Sequence, residues 1–285
     1  MMVEQDTRLG VGYMLISVVG FAVMNLVVKF LGHIPPTELV LFRSIISLFL
    51  SLIMIYRKGI SPFGNNRKYL ILRGIFGVSA LSLFFTTLQD LPLASAITIQ
   101  YLSPIFTAFF AIFILKEPMR PIQWVFFLVS FLGIALIKGF DPNITPWLFL
   151  AGIASAVFSG LAYNMIGKLR NSDDPVVVVF YFPLIATPIM AVISIFYWVT
   201  PVGWDWLLLI LMGVLTQIAQ VYMTKAYQVS TINKVAGLKY FGIIFALSFD
   251  FFIFGVEYQW LALVGIVLVV AGVILNILHK SAFKQ

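Results

Sequence analysis

Two stretches of this chain read alike: TIQYLSPIFT at residues 98–107 and GLKYFGIIFA at residues 237–246. Laid over one another at an offset of 139 residues, they align Tyr101 with Tyr240, Ile105 with Ile244 and Phe106 with Phe245, and they set Gln100 opposite Lys239. The same offset aligns Asn25 with Asn164, Lys29 with Lys168, Gly74 with Gly213, Gln89 with Gln228 and Gly133 with Gly272. Chance apolar similarity readily supplies Phe and Ile pairs. It does not readily supply Asn, Lys, Gln and Tyr at one spacing held along the whole chain. The sequence therefore reads as two related halves, residues 8–139 and 146–280.

Composition identifies the solvent around them. Of 285 residues, 61% are hydrophobic and 10% charged, with a mean hydropathy of +1.05. A soluble domain needs roughly a quarter of its residues charged to wet its surface, so this surface faces lipid. Apolar runs of about 20 residues, each the length of a membrane-crossing helix, follow one another from end to end. Turn signals such as HIPP (33–36), DLP (90–92), KEPMRP (116–121), DPNITP (141–146), DDP (173–175) and TPVG (200–203) separate them. The expected spans are 9–31, 37–56, 68–88, 93–115, 121–138, 146–168, 175–198, 205–227, 232–254 and 259–279. They are read as helices because lipid offers the backbone no outside hydrogen-bond partner. The start MMVEQDTRLG has no small-residue cleavage site, so the run from Leu9 is expected to be a retained helix.

With the N-terminus placed inside, the inner ends hold Arg8, Arg57, Lys58, Arg67, Lys68, Lys116, Arg120, Lys168, Arg170, Lys280 and Lys284, while the outer ends hold only Lys138. The positive-inside rule then puts both termini in the cytoplasm, in a cell (plasma or inner) membrane. That asymmetry accounts for the net charge of +7 and leaves no role for nucleic acid. Five spans per half is an odd number, so the second half enters the membrane from the opposite side. The expected fold is all-α and integral to the membrane: ten transmembrane helices as two inverted-topology five-helix repeats around a central cavity, with a substrate site near the midplane.

Three segments carry a family resemblance. FFTTLQDLPLASAITIQYLSPIFTAFFAIFILKEPMRPIQWVFFLVSFLGIALI (84–137) resembles the third-to-fifth-helix block of the EamA group of the drug/metabolite transporter superfamily. LFRSIISLFL (41–50) is similar to that family's second helix with its Arg, and TKAYQVSTINKVAGLKYFGIIFA (224–246) to its eighth and ninth. The resemblance implies a ten-helix permease moving small metabolites, with no cofactor. The position after the ninth-helix Tyr often begins a Glu-Pro pair in that family. Here Tyr240 is followed by Phe241 and Gly242, so a carboxylate at the cavity floor is missing.

Basic residues within the spans point to the cargo. Lys239 lies about seven residues into the ninth span, and Lys225 near the inner end of the eighth. The eighth span also carries Gln217, Gln220, Thr224 and Gln228 on one helical stripe. Such a stripe lines either a wet cavity or a helix contact. The first-half counterparts of Lys239 and Lys225 are Gln100 and Thr86, so only the second half is charged there. An asymmetric positive cavity suits an anionic or carboxylate-bearing solute, such as an amino acid or a related compound. Lys239, Lys225, Tyr240, Tyr101, Gln217, Gln220, Gln100, Asn164 and Asn25 are the candidate substrate-binding residues, in alternating access that is proton-linked or by exchange. Arg43 and Asp250 are candidate gating or structural charges; Asp250 is expected to pair with Lys29 or Arg43, or else to carry a proton. Arg73 and Lys234, near cytoplasmic ends, are expected to snorkel. Pro104, Pro183 and Pro188 mark places where a helix breaks or bends.

Other classes find little support. The two histidines, His33 and His279, lie near opposite ends of the chain, and there is no Cys, so metal and nucleophile clusters are missing. An enzyme is not expected. The alternatives are a polyspecific exporter of neutral or cationic compounds and a non-transporting membrane scaffold; a homodimer is one arrangement the sequence allows.

Overall fold

A computed structural model describes residues 7–116, 121–140, 144–169, 172–229 and 237–281. The chain order is α1 (Thr7–Phe30), α2 (Pro36–Lys58), α3 (Arg67–Asp90), α4 (Leu93–Gln100), α5 (Ser103–Ile114), α6 (Pro121–Phe140), α7 (Pro146–Leu169), α8 (Pro175–Ser194), α9 (Asp205–Val229), a 3₁₀ turn (Gly237–Tyr240), α10 (Phe241–Phe252) and α11 (Trp260–Ser281). Among the described residues these elements are all helical. Among the described residues, seven segments are long and apolar enough to cross a bilayer: α1 to α3, the run Leu93–Ile114 across α4 and α5, α7, α8 and α9. Shorter apolar helices cover Trp124–Gly133, Phe241–Phe252 and Trp260–Gly272.

Local chemistry sets the helix ends. Pro36, Pro121, Pro146 and Pro175 stand in first turns, where the missing N–H costs nothing. Asp174 caps α8 by accepting from Val176 N at 2.8 Å, and its carboxylate also meets Lys58 Nζ at 3.2 Å. The α2 C-terminus closes on Gly59 in the left-handed conformation, at φ 62°.

The fourth expected span divides between α4 and α5 at Tyr101 and Leu102, and the ninth carries the 3₁₀ turn ahead of α10. These interruptions fall at aligned residues of the two similar stretches. In the fourth, Pro104 sits in the first turn of α5, where it starts a helix instead of bending one. By contrast, Pro183 and Pro188 lie inside a continuous α8.

Packing follows the same offset. The main helix partners are α1 with α9, α3 with α7, α2 with α8, and α6 with α11. An added Cβ at Gly74 would meet Tyr181 O at 3.0 Å and the Ile185 side chain, while one at Gly213 would meet Ile46 Cδ1 at 2.6 Å. Ile185 and Ile46 are themselves 139 residues apart. A Cβ at Gly133 would strike Gly265 O at 2.6 Å, and one at Gly272 would strike Phe126 O at 2.7 Å. Gly265 and Phe126 are again counterparts. Small residues let these helix backbones touch, which is how helices associate where lipid removes the hydrophobic drive. A contiguous buried cluster that includes Phe85, Leu88, Leu93, Ile99, Leu102 and Ile105 fills the interior. Large apolar residues such as Phe49, Phe113, Phe252 and Val267 are exposed on the outside, as a lipid-facing surface requires.

Candidate functional site

A pocket opens among four helices. It is lined by Arg43 and Ser47 of α2, Arg73 of α3, Val179, Phe182 and Pro183 of α8, and Thr216, Gln217 and Gln220 of α9. The space left free in it is about 10 Å³, room for about one water molecule. Two of these helices belong to the first half of the chain and two to the second.

Arg43 and Arg73 dominate it. They are 3% and 8% exposed. Arg43 Nε donates to Thr216 Oγ1 at 3.0 Å. The Arg43 guanidinium lies 5.2 Å from the centre of the Phe182 ring and 5.9 Å from that of Phe85. Arg73 lies 5.6 Å from the same Phe182 ring, so one aromatic ring carries two cations. Arg43 Nη1 and Arg73 Nε are buried without a hydrogen-bond partner. Among the described residues, the ion pairs are His33–Asp205 and Lys58–Asp174, and neither involves these arginines.

The burial of Arg73 corrects the expectation that it snorkels. One turn further along α3, Gly77 leaves the space: a Cβ there would collide with Arg73 Nη1 and approach Phe182 Cδ2 to 2.7 Å. The guanidinium folds into this gap along its own helix instead of reaching for the headgroups. Two signals in the sequence mark the site, Gly77 four residues after Arg73 and the polar stripe Arg43, Ser47, Ser51 at helical spacing. Ser51 Oγ accepts from Gln217 Nε2 at 3.1 Å, while Gln217 Oε1 is buried and unpaired.

The structure brings Gln217 and Gln220 to this pocket beside Arg43; the other described candidates do not line it. Lys239 Nζ sits 5.1 Å from the Tyr163 ring centre. Lys225, exposed on α9, stacks on Tyr13 and Tyr222 at 5.8 and 5.3 Å. Gln100 is engaged by α7: its Nε2 donates to Ser159 Oγ at 2.7 Å and its Oε1 lies 2.8 Å from Ser155 Oγ. Asn164 Nδ2 donates to the carbonyls of Thr107 and Gly160 at 3.0 and 2.9 Å, and Asn25 is buried in α1. Tyr101 donates its hydroxyl to the backbone carbonyl of Lys239, tying the two interrupted spans together. The side chain of Tyr240, together with Lys234, lies outside the described residues.

Asp250 serves a helix end. Its carboxylate accepts from Leu93 N (3.0 Å), Ala94 N (2.8 Å) and the Tyr258 hydroxyl (2.6 Å). Lys29 Nζ donates to the carbonyls of Gln89 and Leu91 at 2.8 and 2.6 Å. Gln89 Nε2 in turn donates to the carbonyls of Leu31 and Ile34. The turns after α1 and α3 are thus tied together by polar side chains.

A polytopic helical protein with a polar pocket between its two halves belongs to the class of membrane transporters, and comparison with known proteins agrees. The sequence profile of the EamA-like transporter family matches residues 8–139 and again residues 145–278. This chain belongs to that family, within the drug/metabolite transporter superfamily. It is 28% identical to the pseudopaline exporter CntI of Pseudomonas aeruginosa, over 89% of this chain and 90% of that one. It is 30% identical to human solute carrier family 35 member G1, over 93% and 77%. It is 23% identical to an S-adenosylmethionine uptake transporter of Rickettsia felis, over 86% and 84%. A solved crystal structure superposes with a TM-score of 0.67 at 18% identity, covering 97% of this chain and 99% of that one, so the two share a fold. The family and these relatives are membrane transporters, not enzymes.

Proposed function

We propose that this transporter is a permease for a small organic metabolite bearing a carboxylate or comparable anionic group, moved by alternating access between two inverted five-helix repeats, residues 8–139 and 146–280. The observation that carries the substrate class is the pocket itself. It joins helices of both halves and holds two buried arginines with unpaired donors and no acid in ion-pair contact among the described residues. Leaving a charged donor desolvated and unpaired is costly, and an incoming oxyanion removes that cost. In this reading Gln217 and Gln220 shape the pocket, and Lys239 extends its positive field past Tyr163.

Counterpart contacts support the inverted repeat. Arg43 faces Phe182, the residue 139 positions later, and Ser130 Oγ donates to Val269 O, also 139 later, at 3.5 Å. Residues that touch their own counterparts lie near an axis relating the halves. The helix pairing is likewise unchanged when the halves are exchanged, and the family profile matches twice. Such an arrangement lets one structure adopt two mirrored states around a fixed site.

Saturable counterflow of a panel metabolite in proteoliposomes is the expected result. Non-saturating conductance, or no flux at all, would overturn the permease reading. Reporter fusions at residues 60, 90, 141 and 203 test the orientation: only the first should report cytoplasmic. A cytoplasmic signal at 141 rules out inversion.

A further inference from the structure

We infer that Arg43 and Arg73 form a single oxyanion centre whose ligand carries two negative charges, as a dicarboxylate or a phosphate monoester does. This rests on the permease reading above and narrows its substrate class. Three observations lead to it.

The first is the charge count. The two guanidiniums share one pocket and one aromatic ring, and have no ion-pair partner among the described residues. The other polar lining groups, Ser47, Thr216, Gln217 and Gln220, are neutral. A zwitterion brings no net charge, and a monoanion leaves one cation uncompensated in a poorly solvated site. A dianion neutralises both.

The second is that each guanidinium keeps an unused donor. Arg43 spends Nε on Thr216 and leaves Nη1 buried and open, while Arg73 leaves Nε open. Two donors on separate planar forks present more than one oxygen contact, which matches a carboxylate pair or a phosphate better than a single point charge.

The third is that the two arginines are held in place in advance, while the pocket around them, with about 10 Å³ free, widens to admit a dianion. The Phe182 ring supports both guanidiniums, and Gly77 provides the gap into which Arg73 folds. Anchored side chains lose less freedom on binding.

Thermal unfolding of the purified full chain tests this with succinate against its monoamide succinamate, and with glycerol 3-phosphate against glycerol, at matched ionic strength. Succinate, glycerol 3-phosphate or both should raise Tm, and which of them does so separates the two ligand types. Succinamate should need at least ten times the concentration of succinate for an equal shift. R43Q and R73Q should each abolish the response. If either fails to fold, R43K and R73K keep the charge without the fork, and should raise the half-saturating concentration about tenfold. Equal responses to succinate and succinamate would overturn the inference. So would a dianion shift that survives in the arginine variants, or no dianion response in the wild type. The permease reading is judged separately: if R43K and R73K transport a panel metabolite with unchanged KM, it stands and this centre is wrong. Wild-type protein that moves no solute refutes transport whatever anions it binds.

Discussion

Asp250→Asn isolates what a buried carboxylate does in this fold. Leu93 and Ala94 open α4, and as first-turn residues their amides have no partner within the helix. Both are fully buried, so water cannot serve them. The Asp250 carboxylate accepts from both, and from the Tyr258 hydroxyl as well. An asparagine of the same size keeps one carbonyl acceptor and turns an NH₂ toward a backbone N–H. At least one charge-assisted bond is lost, worth about 1.5–3 kcal/mol, and a buried amide is left facing another donor. The total is about 3 kcal/mol, and at roughly 2–4 °C per kcal/mol for a chain of this size Tm should fall by about 6–12 °C. The assay is thermal unfolding in detergent beside proteoliposome transport measured across pH. As a helix cap, Asp250→Asn should lower Tm and leave the shape of the pH profile unchanged. A variant with wild-type Tm and a flattened pH profile would refute the cap and make Asp250 a proton carrier.

Three further changes test other parts of the structure. Gly77→Ala should push Arg73 and Phe182 apart, because the new Cβ collides with both. The half-saturating concentration of a transported panel metabolite should rise about tenfold, roughly 1.4 kcal/mol, with the size-exclusion profile unchanged. Gly272→Val places its branched side chain against Phe126 O and the Ser130 backbone. Separating α6 from α11 should cost about 3 kcal/mol or more of stability, read as a fall in Tm. Lys239→Gln installs the residue that stands at the aligned position, Gln100. Affinity for an anionic substrate should fall tenfold or more with folding intact; wild-type transport would mean that Lys239 only packs over Tyr163.

Much of the fold was legible before any coordinates, for a physical reason. Lipid as solvent leaves its mark on every residue, so hydropathy and turn chemistry delimit the apolar segments one at a time. Duplication leaves its mark as pairs at one offset, and Gly74, Gly213, Gly133 and Gly272 keep it in their contacts. The site was legible only in part. Arg43, Gln217 and Gln220 stand out as polar groups in apolar helices. Arg73 looks like an end-of-helix residue until Gly77 is seen to make room for it.

What the tertiary structure alone decided is which residues meet across helices. Periodicity describes one helix and carries no information about the rotation of its neighbours. Phe182 reads as one of 28 phenylalanines in sequence, yet its ring lies beneath both arginines because α8 packs against α2 and α3. Asp250 reads as a stray acid, yet it caps a helix that begins 157 residues earlier. The sequence by itself determined a helical membrane protein with two similar halves, because burial in lipid and the spacing of aligned residues act along the chain. Only the packing of α2, α3, α8 and α9 determined where the positive charge is concentrated, because that depends on distances between segments far apart in sequence.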